Sequence, residues 1–342
     1  MKEQVILHIG MPKTGTTQLQ YSLGKSASLL EDWKILYPTT GCYYAAGGSN
    51  HKFLAWDFMA RLPPSGFVSK QMAAHSLNCI FGSVKELVRD VEASKCHTVI
   101  LSSEYFFQAA RYPTEVKRLK TLLLSIARRV VVVCYVREHL SWMASAYNQA
   151  CKVAIKDMPS FESWAHENRY EYRLHPLLTA WANAFGKENI IVRPYVKGSL
   201  VDGDVVADFF SAAQLPQHLA KRLQQPARAN SAISLRTAEA IRLINKRIAS
   251  APEKAQVAKL LARANILPDR PNEGVIRSDT QRMLGAFFEG DRRDLFRDFL
   301  NAQSNDASPI GPSYSKEWYG GITQAELNEA LSALRQRTMM RP

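Results

Sequence analysis

The sequence has little that would carry it out of the cell or into a membrane. Its five cysteines (Cys42, Cys79, Cys96, Cys134 and Cys151) are scattered and odd in number, with no C-x-x-C pair. That excludes a disulfide framework and argues for reduced thiols in a reducing compartment. No apolar run approaches the roughly 18 residues of a membrane span. Met1-Lys2-Glu3-Gln4 leads straight into a strand-like segment, with no signal peptide pattern, so a cytoplasmic chain is expected. His139, His166 and His175 are widely spaced and have no cysteine pair near them, so no metal centre is expected. The G-x-S-x-G elbow of serine hydrolases is missing. So is any block of consecutive basic residues, which argues against nucleic acid as a partner. There is no internal repeat and no low-complexity tract.

What is present fits a globular α/β protein. The 342 residues are 46% hydrophobic, enough for a sizeable core. Lysine and arginine number 44 against 31 acids, a formal net charge of +13, which points to an anionic ligand without choosing one. Short apolar runs at Val5–Ile9, Thr98–Leu101, Arg129–Val136 and Asn189–Tyr195 read as buried strands. Helical segments alternate with them: Gln18–Ser26, Val84–Ala93, Val116–Ala127, His139–Cys151, and Phe161–Glu167 with Ser160 as its N-cap. Strands alternating with helices predict a central parallel sheet flanked by helices. Tyr43–Gly66 reads as irregular. Residues 1–215 form the expected core, and residues 216–342 a mainly helical extension packed on it. Ser278-x-x-Gln281 and Thr323-x-x-Glu326 read as capping boxes, and Gln303–Gly321 as a long loop.

The sharpest signal is Gly10-Met11-Pro12-Lys13-Thr14-Gly15-Thr16-Thr17, a glycine-punctuated loop between a strand and a helix. A nucleotide-triphosphate P-loop reads G-x-x-x-x-G-K-[ST]. Here the glycine spacing and the final hydroxyl residue are kept, but Thr16 replaces the lysine and the cation has moved forward to Lys13. Backbone N–H groups and the helix N-terminus can still hold a phosphate, and Thr16 and Thr17 can add hydroxyls. A lysine at position 13 suits the bridging oxygen of a shorter group, where it would stabilise charge developing as the bond breaks. The stretch Pro12-Lys13-Thr14-Gly15-Thr16-Thr17 resembles the 5′-phosphosulfate loop of the sulfotransferases that use 3′-phosphoadenosine 5′-phosphosulfate (PAPS). The resemblance implies a P-loop-like sulfotransferase fold, with Lys13 on the phosphosulfate and Pro12 to Thr17 cradling the 5′-phosphate. It also implies sulfuryl transfer to a hydroxyl or amine, release of 3′,5′-adenosine bisphosphate, and no need of a metal.

The family's second signature is an arginine ending a buried strand and a serine eight positions later on a helix, both on the 3′-phosphate. Arg137 and Ser145 stand at that spacing, with Ser141 the substitute if the helix register differs. An arginine fork matches phosphate oxygens and a helix serine adds a donor, although Arg137 alone could equally pair with Glu138. The stretch from Trp181 to Tyr195 is similar to the bacterial carbohydrate-type members. That implies a bacterial enzyme with a glycan acceptor, and Tyr195 stacking on or near the adenine. Asn230–Ser234 resembles another stretch of that group, with no assigned role. The Arg-Lys-Gly cofactor loop of the cytosolic small-molecule enzymes is missing. For the base that takes the acceptor proton, Glu104 is the first candidate, since it follows a strand at the edge where α/β sheets bind ligands. His51 is the second, followed by His8 and Asp57. Trp33, Tyr43, Tyr44, Trp56, Phe106 and Phe107 fall in candidate acceptor regions. The rival readings are a P-loop kinase or other NTPase, which needs a lysine at position 16 and an acidic strand end, and an inactive nucleotide- or glycan-binding module.

Overall fold

The computed structural model describes residues 1–45, 48–58, 84–153, 157–226, 233–264, 267, 273–274, 276–300, 317–318 and 323–339. In chain order the elements that concern the site begin with β1 (Lys2–His8), α1 (Thr16–Lys25), α2 (Ala27–Asp32) and β2 (Ile35–Leu36). They continue with β3 (Tyr43–Ala45), β4 (Gly48–Asn50), α3 (Lys52–Asp57), α4 (Val84–Ala93), β5 (Thr98–Ser102) and α5 (Tyr105–Ala109). Next come α6 (Pro113–Ile126), β6 (Ala127–Val136), α7 (His139–Val153), α8 (Phe161–Asn168), α9 (His175–Phe185) and β7 (Ile190–Pro194). The remaining helices are α10 (Val205–Ala212), α11 (Gln217–Ala220), α12 (Leu235–Asn245), α13 (Ala251–Ala264), α14 (Ser278–Leu295) and α15 (Gln324–Met339). None of the described helices is long and apolar enough to cross a membrane.

The described chain packs as two compact units. The first takes residues 1–137, 174–229 and 294–309, the second 138–173, 230–293 and 310–342. They interleave along the chain, and no single boundary near residue 215 separates them. The reason is burial. Met143, Tyr147 and Phe161, on helices early in the chain, lie in one apolar cluster with Ile241, Leu261, Phe288 and Leu327. Helical periodicity announces an apolar face and does not name its partner.

The first unit holds a five-stranded, all-parallel sheet in the order β2-β5-β1-β6-β7. Central β1 pairs with β5 through Val5–Val99 and with β6 through Val5–Val130. The strands β5 and β6, consecutive along the chain, thus lie on either side of β1, and the C-terminal end of β1 is the kind of place where ligands bind in open α/β sheets. All of β5 and all but Arg128 and Arg129 of β6 are buried, as expected of strands covered on both faces. Helices α1 and α10 cover one face, where Leu19, Leu23, Phe209 and Phe210 cluster with Ile6, Ile100 and Val133.

One buried carboxylate ties this sheet edge together. Asp208 on α10 is fully buried and accepts from the Tyr135 hydroxyl at 2.8 Å and from Arg193 Nη2 at 2.6 Å and Nε at 3.1 Å. It also accepts the Val201 N–H at 3.1 Å. The chain thereby joins β6, β7 and α10 through one charge whose lone pairs are all engaged.

Two local expectations change. Tyr43–Ala45, Gly48–Asn50 and Lys52–Asp57 are ordered elements and not irregular chain: β3 and β4 pair antiparallel, Tyr43 opposite Asn50, and α3 follows. Strands of three residues are too short to give a periodic signal. Residues 46–47 and 59–66, most of Gln303–Gly321 and residues 230–232 lie outside the described residues. Ser278 is the first residue of α14 and not its cap, and Gln281 Nε2 turns to the Ile276 carbonyl at 2.7 Å. Thr323 and Glu326 do form the reciprocal box: Glu326 N donates to Thr323 Oγ1 at 3.2 Å, and Thr323 N to Glu326 Oε2 at 2.9 Å.

Removing the Asp208 carboxylate leaves the Arg193 charge without its partner. Asp208→Ala is expected to lower the unfolding free energy by about 3–5 kcal/mol, read from urea denaturation midpoints at constant m-value.

Candidate functional site

The loop from Gly10 to Gly15 leaves β1 at the C-terminal edge of the sheet and bends through residues of positive φ. Gly10 has φ +40°, Lys13 +74° and Gly15 +75°. A Cβ on Gly10 would stand 2.8 Å from Thr16 Cγ2, and 3.2 and 3.3 Å from atoms of the His8 ring, so the turn has room only for glycine. Lys13 holds the left-handed conformation with a full side chain, a cost of roughly 1–2 kcal/mol that the surrounding loop must offset. Thr14 supplies part of that: its buried hydroxyl donates to the Met11 carbonyl at 2.6 Å. The Thr14 hydroxyl is therefore engaged in shaping the loop. A phosphate contact from this residue must come from its backbone N–H.

Gly15 is the N-cap residue of α1 and has no side chain to satisfy the helix. The N–H groups of the first turn have no partner inside a helix, and with the dipole they form an anion-binding end. Thr16 is buried and Thr17 exposed at this end.

Arg137 and Tyr195 leave two neighbouring strands together. Val136 pairs with Pro194, and Tyr195 N donates to the Val136 carbonyl at 2.7 Å. The Tyr195 ring lies on Gly15, where a Cβ would meet its Cε2 at 2.9 Å and its hydroxyl at 3.0 Å. This places Tyr195 as a buttress against the N-terminus of α1. Burial raises its phenol pKa, Arg137 nearby lowers it, and Asp204 raises it. Glu138 accepts from Leu140 N at 2.9 Å and Ser141 N at 2.7 Å, capping α7. Each Glu138 oxygen thus accepts one N–H of the first turn of α7. Ser145 lies half-buried on α7 in the second unit.

On the other side of β1, the parallel register sets Ser102 beside His8. Ser102 Oγ lies 2.7 Å from His8 Nδ1, and Gln20 Nε2 reaches Ser102 Oγ at 3.3 Å and Glu104 Oε2 at 3.1 Å. Gln20 is on α1, so the helix that presents donors at its N-terminus also holds the Glu104 carboxylate. This residue was invisible in the sequence, because a glutamine on a helix has no signature of its own. Glu104 is partly exposed, directly before α5.

His51 does not fit the role of base. It is fully buried, its Nδ1 accepts the Ser102 N–H at 3.1 Å, and its Nε2 lies 3.0 Å from the Pro38 carbonyl. Both ring nitrogens are used, so none is left to take an acceptor proton. His8 is fully buried as well, and Asp57 closes α3. Burial lowers the pKa of His8 to about 3 and that of His51 to about 4, the latter opposed by the Ser102 and Pro38 backbone contacts. Of the candidate acceptor aromatics, Phe106 and Phe107 are fully buried core residues. Trp33 stacks edge-on with His218, ring centroids 4.6 Å apart. Tyr43 and Trp56 remain close to Glu104, grouped around Lys52 with Tyr105. The side chain of Tyr44 lies outside the described residues.

The fold and site define a parallel α/β unit with a glycine-containing loop that leads from its central strand into a helix N-terminus. No protein-family model matches the chain. It is 28% identical over 123 residues to an uncharacterized protein of Archaeoglobus fulgidus, a match covering 36% of this chain. The match spans 32% of that protein's length. Among solved structures, the chain is similar to a sulfotransferase from Alicyclobacillus acidocaldarius, with a TM-score of 0.48 and 13% identity. That alignment covers 87% of this chain and 96% of the other.

The two buried histidines make stability depend on pH. Unfolded, each takes a proton near 6.5; folded, they do so only near 3 and 4. Between those values the unfolded chain binds more protons, so stability rises with pH and is lost as pH falls. From pH 6.5 down to 5 the unfolding free energy is expected to drop with a slope approaching about 2.7 kcal/mol per pH unit from this pair. His51→Gln, which keeps a donor and an acceptor, should roughly halve the slope; urea melts across that range measure it.

Proposed function

We propose that the chain is a PAPS-dependent sulfotransferase acting on a carbohydrate hydroxyl or amine. The observation that carries this reading is the placement of cations around the loop. Lys13 stands at its positive-φ bend and a threonine at position 16, while β6 closes on Arg137 and not on an acid. A kinase needs a lysine and a magnesium-holding carboxylate at those places.

When bound, PAPS supplies a sulfuryl group on a good leaving phosphate. The residues of this chain suit that ligand. The N–H groups opening α1, with the hydroxyls of Thr16 and Thr17, bind the 5′-phosphate, and Tyr195 keeps Gly15 closed behind it. The Lys13 ammonium stabilises negative charge growing on the bridging oxygen. Arg137 offers its planar fork to the 3′-phosphate, and Ser145 is the further donor that the sequence resemblance adds. Glu104, held by Gln20, takes the acceptor proton as the new bond forms. Because Gln20 and the phosphate-binding N–H groups belong to one helix, base and donor are oriented by the same rigid element, which reduces the entropy of reaching an in-line geometry. Tyr43, the exposed aromatic of this group, supplies a face on which a sugar ring can stack.

Isothermal titration with 3′,5′-adenosine bisphosphate tests the cofactor. Micromolar binding is expected, weakened about tenfold or more in Arg137→Ala, consistent with loss of a charge-assisted phosphate contact. Preference for ATP with magnesium would favour a kinase. Glu104→Gln should keep bisphosphate affinity while PAPS turnover on oligosaccharide acceptors falls by roughly 10²–10⁴-fold. Unchanged turnover in that variant removes Glu104 from the mechanism, and bisphosphate binding without any turnover favours an inactive binding module.

A further inference from the structure

Beside Glu104 stands a lysine that no sequence motif marks. Lys52, the first residue of α3, is only 9% exposed. Its ammonium lies 4.4 Å from the ring centroid of Trp56, 4.6 Å from that of Tyr43 and 5.4 Å from that of Tyr105. Trp56 and Tyr105 meet edge to face with centroids 5.8 Å apart, so the walls of this cage brace each other. Phe53 braces both other walls, edge to face at 5.7 Å from Tyr43 and 5.5 Å from Trp56.

Aromatic faces hold a cation in place but do not neutralise it. Among the described residues no carboxylate stands within ion-pair distance of Lys52. Burial lowers its pKa, and Glu104 acts on it only as a charge nearby, in the opposite direction. The Glu104 carboxylate already accepts from Gln20. A second donor is orphaned at the same place: the indole N–H of Trp56, 5% exposed, has no partner among the described residues. A buried donor without an acceptor is uncommon in folded proteins and calls for an explanation. Here, among the described residues, the indole N–H lacks an acceptor and the ammonium over the same ring lacks a carboxylate.

We propose that Lys52 and its cage of Tyr43, Trp56 and Tyr105 form an anion subsite of the acceptor pocket, which selects acceptors bearing a carboxylate or sulfate close to the hydroxyl or amine that Glu104 deprotonates. Tyr43, 37% exposed, is the wall that opens to solvent and lets the acidic group in. The subsite rests on the sulfotransferase reading for the identity of the pocket, and its test reads a different quantity.

Calorimetric titration of the full chain loaded with 3′,5′-adenosine bisphosphate would use a disaccharide ending in glucuronic acid and the methyl ester of the same disaccharide. The free acid is expected to bind about tenfold tighter or more, the scale of one charge-assisted contact. Lys52→Gln should reduce that preference to below about twofold and Lys52→Arg restore most of it. Equal affinity for acid and ester in the wild type overturns the subsite, as does absence of binding by both or a preference that survives Lys52→Gln. A Lys52→Gln variant that loses affinity for PAPS but not for the bisphosphate also overturns it, since the lysine would then face the transferring group. If the bisphosphate itself fails to bind while the unloaded chain still prefers the acid, the cofactor reading falls and the anion subsite stands.

Discussion

Everything at this sheet edge depends on how β1 passes into α1. The strand is central, the turn is tight, and the helix must start with its N-terminus facing the strand ends. Gly10 meets that demand at φ +40° beside the His8 ring and Gly15 at φ +75° beneath the Tyr195 ring, positions where a Cβ would collide. Between them Lys13 is forced into the left-handed region, so its conformation follows from the loop's closure. The strain lies in the Lys13 backbone and is held there by the loop around it.

The polar groups behind the loop form one connected set. His8, Ser102, Gln20 and Glu104 are linked in sequence by contacts of 2.7, 3.3 and 3.1 Å. The parallel register of β1 and β5 makes the first contact, and the packing of α1 makes the others. His51 secures the Ser102 backbone from the opposite side. These histidines are neutral and buried, so they hold the frame and do not exchange protons with a ligand at neutral pH. Glu104 is the partly exposed member of the set.

Much of this was legible in the residues. Long apolar strands such as Arg129–Val136 announce themselves because burial on both faces demands a continuous apolar run. The loop announces itself because its glycines, threonines and lysine are each required by backbone geometry or by charge. His51 misled, since a histidine in an aromatic, glycine-containing stretch looks available until its two nitrogens are seen to be bonded. Gln20 and Lys52 gave no signal, because a helix glutamine and a helix lysine are ordinary surface residues in almost every other setting. The partners of α7 and α8 were equally hidden, as an apolar face does not identify the face it meets.

The sequence alone determined the strand–loop–helix unit, the position of its cation at residue 13 and the arginine ending β6, since those depend on local backbone sterics and short-range periodicity. Only the tertiary structure decided that Glu104 is held by α1, that Tyr195 closes on Gly15, and that Lys52 sits among three aromatic rings. Those facts depend on side chains far apart in the chain meeting at one edge of the sheet, and strand order and register set those meetings, not neighbouring residues.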